Sequence, residues 1–152
     1  MKKQIRFLCI LIAANFFIFG SCNKTDTPPA PKTKTQLLTQ SSWKFQSATA
    51  SGTDITNNPA LACIKDDILT FASAGTGNIV DGTIVCAPTT SGNFTWNFQN
   101  SETTLVMSTT LIPGGSGTFT LVTLNETTLT VSQNVLIPPI LTAIPVTAVY
   151  VH

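Results

Sequence analysis

Cys63-Ile64-Lys65-Asp66-Asp67-Ile68-Leu69-Thr70-Phe71-Ala72, then Ser73-Ala74-Gly75-Thr76-Gly77, then Asn78-Ile79-Val80-Asp81-Gly82-Thr83-Ile84-Val85-Cys86 is the stretch on which the fold turns. Two apolar runs, 67–72 and 78–86, flank a short segment of small, turn-forming residues, which is the pattern of a β-hairpin. Folding the chain about Gly75 pairs residues equidistant from it. Cys63 and Cys86 lie twelve and eleven residues away on either side, so the hairpin brings the two thiols together.

The same period of two recurs on both sides of this hairpin. Trp43 and Phe45 alternate with Lys44 and Gln46, and Phe94, Trp96 and Phe98 alternate with Thr95 and Asn97, as in strands with one buried face. Further strand-like runs cover 103–109, 118–124, 127–133 and 142–151, which makes eight strands in all. A short amphipathic turn or helix at 35–40 leads in, with Leu37 and Leu38 apolar.

The connections sort by parity. Segments 73–77, 99–102 and 125–126 are short and rich in turn formers, whereas 51–66, 87–92, 110–117 and 134–141 are mostly longer. In an up-and-down meander, links of one parity share an end, so one end is tightly turned and the other carries long loops. Eight antiparallel strands close into a small barrel, which removes exposed edges. The lumen of such a barrel is filled by side chains or holds one small ligand. Trp43, Phe45, Phe71, Phe94, Trp96, Phe98 and Phe119 are the residues expected to face it. Pro145 within the last run suggests an irregular or weakly paired closing strand.

Composition agrees with an all-β chain. Of 152 residues 43% are hydrophobic and 10% charged, with 26 Thr and 11 Ser, which argues against both disorder and a helix bundle. The net charge of +1 hides two unlike parts. Residues 1–35 hold six basic residues against Asp26 alone, and residues 36–152 hold Lys44 and Lys65 against six acidic ones. A mildly acidic domain gives no electrostatic reason to expect nucleic acid.

The basic surplus belongs to targeting. Lys2, Lys3 and Arg6 precede the apolar run Phe7 to Phe19, followed by Gly20 and Ser21, the layout of a secretory signal peptide over 1–21. The run is too short for a spanning helix, which takes roughly 20 apolar residues. Phe19-Gly20-Ser21-Cys22 resembles a bacterial lipobox and implies cleavage before Cys22 and acylation of that residue. Ordinary cleavage with Cys22 left unmodified is the alternative. Residues 22–35 are polar and rich in Pro and Thr, and read as a tether to a domain over 36–152.

Cys9 leaves with the leader and Cys22 is used by the anchor, so Cys63 and Cys86 remain to form a disulfide in an exported protein. A metal site is the alternative to the bridge. Two cysteines with only His152 at the far end do not assemble four ligands of the usual kind, and neither metal nor cofactor is expected. A hydrolytic triad needs a base beside its nucleophile, and the single His is again His152. Asp66 and Asp67 are adjacent, so on a strand they point to opposite faces, unlike a glycosidase pair; solubilising the strand start is the expected role. The chain reads as a non-enzyme.

Leu37-Leu38 with Trp43-Lys44-Phe45, Cys63-Ile64-Lys65-Asp66-Asp67, Phe71-Ala72-Ser73-Ala74-Gly75-Thr76, Cys86 and Ser91-Gly92-Asn93-Phe94-Thr95-Trp96, with hairpins ending Thr104-Leu105 and Thr128-Leu129, resemble the lipocalin-like domain lipoproteins of Bacteroidetes-type bacteria. The resemblance covers about residues 36–133. Ser41 or Ser42 stands where the family commonly has Gly, and Ala74 where it often has an acidic residue. It implies a short β-barrel with a structural disulfide and no catalysis.

Two long-loop segments are unusually apolar for surface loops: Leu111-Ile112-Pro113-Gly114-Gly115 and Val135-Leu136-Ile137-Pro138-Pro139-Ile140-Leu141. They fold over the mouth as a plug, or Leu111, Ile112, Leu136, Ile137, Ile140 and Leu141 form a rim for a ligand or partner. The expected protein is therefore a monomeric, lipid-anchored component of the cell envelope, on the outer membrane, whose barrel binds a small apolar ligand or an envelope protein at its long-loop end. The alternative is an accessory with a filled barrel and no small ligand.

Overall fold

The computed structural model describes residues 29–136 and 142–152, and a compact unit spans Pro31–His152. The leader, Cys22, and the rim candidates Ile137, Ile140 and Leu141 lie outside the described residues.

The unit opens with helix α1, Lys34–Thr39. Thr33 Oγ1 accepts from the Gln36 backbone at 3.2 Å and Gln36 Oε1 accepts from the Thr33 backbone at 2.8 Å, a reciprocal capping box. Residues 34 and 35, read above as the end of the tether, are thus helical. Six residues are too few to be helical alone, and tertiary contact supplies the rest. Leu38 is fully buried, and the indole of Trp43 donates to its carbonyl at 2.8 Å.

The strands are β1 (Trp43–Ala50), β2 (Thr53–Asp54), β3 (Ile68–Ala72), β4 (Thr76–Val80), β5 (Gly92–Gln99), β6 (Thr104–Met107), β7 (Thr118–Leu124), β8 (Thr128–Val135) and β9 (Ile144–Val151). Apart from the two-residue β2, each pairs antiparallel with its neighbour in sequence order. β1 also pairs with β9, from Lys44↔Val151 to Ala50↔Val146, which closes an eight-stranded barrel. The expected fold class holds. Links 73–75, 100–103 and 125–127 lie at the end where β1 begins and β9 finishes, and the long loops lie at the other, as the parity of the connections implies.

Three local readings need correction. The run expected at 78–86 ends at Val80, and 81–91 leaves the sheet. Backbone donors that a ladder would have used are taken by carboxylates instead: Gly82 donates to Asp67 Oδ1 at 3.0 Å, and Thr83 donates to Asp66 Oδ2. The closing strand is well paired, because Pro145 lies near its start, where a missing N–H costs least, and β9 has partners in β8 along its whole length. Within the loop 51–66, Ser51 and Gly52 both take positive φ (48° and 83°), a type I′ turn that pairs Ala50 with Thr53. A short 3₁₀ helix, Pro59–Ile64, follows and buries Leu61 and Ile64.

Candidate functional site

The barrel interior is where a ligand of this fold would sit, and alternation along the strands decides what fills it. Trp43, Phe45, Phe71, Phe94, Trp96 and Phe119 are buried in the core, while Phe98 is only half-buried. The rings meet edge to face. Phe71 lies 5.4 Å from Phe94 and 5.6 Å from Trp96, and Trp96 lies 5.4 Å from Phe98, between centroids. Such pairs add about 0.5–1.5 kcal/mol each beyond burial. Both indole N–H groups are satisfied by carbonyls, that of Trp96 by Thr76 at 2.9 Å. Missing from the expected interior were Tyr150, which crosses Phe45 edge to face at 5.9 Å, and the aliphatic layer of Leu105, Leu129, Val131, Val135 and Val146.

A recess below the long-loop end, bordered by Asp67, Thr90, Thr110, Leu111 and Tyr150, measures about 20 Å³. That is room for one water, against a few hundred Å³ for an organic ligand.

Leu111 and Ile112 close this end from above. They are 6% and 1% exposed, so they are not a rim: the loop turns inward because the Ile112–Gly115 turn and the Tyr150 hydroxyl, which donates to the Leu111 carbonyl at 3.2 Å, hold it down. Gln133 braces the same loop by accepting from the Ser116 backbone at 2.9 Å. Leu136 is half exposed.

Cys63 and Cys86 are bonded, with Cα atoms 5.0 Å apart, at this same end. Bridging their span stabilises the fold by about 3 kcal/mol in the chain-entropy model. Asp66 and Asp67, read above as solubilising residues, instead fasten the loop that carries Cys86, and Asp67 is buried. Desolvation raises the Asp67 pKa above the ordinary carboxylate value of 3.8, and the charges of Asp81 and Asp66 add to the rise, outweighing the Gly82 hydrogen bond. Burial likewise raises the Tyr150 phenol, with the Asp67 charge contributing. No sequence signal distinguishes a carboxylate that accepts backbone hydrogen bonds from one that faces water.

At the opposite end α1 lies over the tight turns. Lys34 donates to the Glu102 carbonyl and Gln40 to the Glu126 carbonyl, both at 2.6 Å. His152 stacks 3.9 Å from Trp43 and meets the Ser42 carbonyl through Nδ1 at 2.8 Å. Among the described residues no group of three His, Cys, Asp or Glu side chains is placed to hold a metal ion.

A closed antiparallel barrel of eight short strands, cross-linked at its open-loop end and covered by a helix at the other, defines a lipocalin-like protein. The family profile of the lipocalin-like domain matches residues 40–131, more than half of the chain, and the chain belongs to that family. Among curated proteins none matches it. The fold is typically one of binding rather than catalysis.

Proposed function

We propose that this chain is a non-enzymatic accessory protein of the cell envelope, held by a lipidated Cys22, whose filled barrel is a rigid platform that presents its long-loop end to a protein partner. The observation that carries this reading is the interior, where, among the described residues, aromatic and aliphatic side chains border a recess of about 20 Å³. That recess is small beside the few hundred Å³ of an organic-ligand site, which supports the accessory reading over lumenal ligand binding. Support for a partner comes from Val80, Ile84, Val85 and Leu136, which are 51–56% exposed at or beside the long-loop end. The chain enters the domain through α1, at the end opposite this surface.

The test is native mass spectrometry of the full chain purified from its own envelope. The expected result is a chain starting at an acylated Cys22 together with a co-purifying polypeptide, and release of a Cys22→Ser variant from the membrane fraction. A stoichiometric apolar ligand that stays with the domain after proteolysis of the tether would overturn the filled-barrel reading. Membrane retention of Cys22→Ser would overturn the anchor.

A further inference from the structure

Beyond the interior, the barrel carries a second concavity on its outer wall. An open depression of about 590 Å³ lies across β3, β4 and β5, within the range of small-molecule sites. The register of the strands lays its lining out in two rows. Thr70, Asn78 and Asn93 face one another in the first, and Ala72, Thr76, Thr95 and Ser108 follow in the second. Adjacent members of a row stand about 4.5–5.5 Å apart.

The chemistry of this lining is narrow. Thr70, Thr76, Asn93, Thr95 and Ser108 are exposed, and no charged side chain borders the depression. The Asn78 amide donates to Asn93 Oδ1 at 3.0 Å, which fixes both side chains and leaves the Asn93 amide protons to point elsewhere. Ser108 Oγ accepts from the Thr95 backbone at 2.9 Å and keeps its own proton to give. Hydroxyls and amides of this kind both donate and accept, and the threonine methyls and Ala72 supply an apolar floor between them. One strand repeat further on, the cross-strand pair Ile68 and Val80 extends that floor with exposed aliphatic surface.

We propose that this outer-wall depression is a binding site for a neutral glycan chain. A sugar ring offers what the lining asks for: hydroxyls that donate and accept around its edge, C–H faces for the methyl floor, and no charge to be matched. The depression is open rather than enclosed, which suits a chain better than a buried monosaccharide. This site lies on the outer wall and does not depend on the filling of the lumen.

Calorimetric titration of the full chain with maltohexaose, cellohexaose and hexagalacturonate tests the assignment. Binding of at least one neutral hexasaccharide is expected, insensitive to salt, and weakened about fivefold or more in Thr70→Val/Thr95→Val, which keeps the shape and removes two hydroxyls. Thr120→Val, on β7 outside the depression, serves as the reference and leaves binding unchanged. Ala72→Lys, which fills the depression from an exposed strand position, abolishes binding while its thermal melt shows that it folds. No heat from either neutral probe at millimolar concentration, equal affinity in the double variant, or tighter binding of hexagalacturonate would each overturn the proposal.

Discussion

Gly77 and Asp67 show how much of this barrel depends on single side chains, one for its absence and one for its burial. A Cβ at Gly77 would run into the Phe94 ring and meet the Thr70 carbonyl at 2.6 Å. Gly77→Ala therefore forces the aromatic cluster off its rotamers, and a loss of about 1–3 kcal/mol is expected in urea denaturation. Asp67 acts through its proton. Its pKa is raised in the folded state above 3.8, so the native state holds that proton more tightly than the unfolded chain. Stability is then greatest below the ordinary carboxylate value and declines as pH rises through the raised one. Asp67→Asn keeps an acceptor for Gly82 and removes the titration. Denaturation midpoints of the two proteins should converge in acid and separate toward neutral pH, with the wild type the less stable; a wild type that gains on the variant as pH rises would contradict the burial argument. The aromatic alternation was legible in the sequence because period-two spacing is a local property. The role of Asp67 was not, since it is defined by Gly82, fifteen residues on and outside any periodic run.

The elements differ in how far local pattern specified them. The β3–β4 hairpin was readable from its turn, because Gly75 takes a φ of 79° that other residues resist. The end of β4 was not, because apolar residues continue to Val85 while the carboxylates of Asp66 and Asp67 draw the backbone away at Gly82 and Thr83. The 108–117 loop is the clearest case of tertiary override. Its sequence suits a plug and a rim equally, and only the burial of Leu111 and Ile112 decides between them. Ile112→Ala should cost about 2–5 kcal/mol, as for a core aliphatic residue, whereas a solvated rim residue would shift stability by less than about 0.5 kcal/mol. Equilibrium unfolding separates the two. The disulfide belongs with these loop restraints: opening it with reductant should lower stability by about 2–5 kcal/mol, read as a drop in denaturant midpoint in matched oxidised and reduced samples.

For the molecule as a whole, closure and filling are one fact seen from two sides. Eight short strands enclose a cylinder whose cross-section the inward residues occupy, with Trp43, Phe119, Leu105, Leu129, Val131 and Val146 each no more than 0% exposed. With these side chains in place an apolar guest is not expected in the lumen, and removing one of them should create a site for one. Phe119→Ala tests this directly. Truncation leaves a void on the order of 100 Å³ with an apolar lining, of the kind that stays dry and admits benzene or xenon. The wild type should show no change in melting temperature with benzene. The variant should be about 3–5 kcal/mol less stable and recover part of the loss when benzene is added, because a ligand that binds only the folded state stabilises it by mass action. Benzene stabilising the wild type to the same degree would mean that the lumen is already open, and the accessory role would have to yield to ligand carriage.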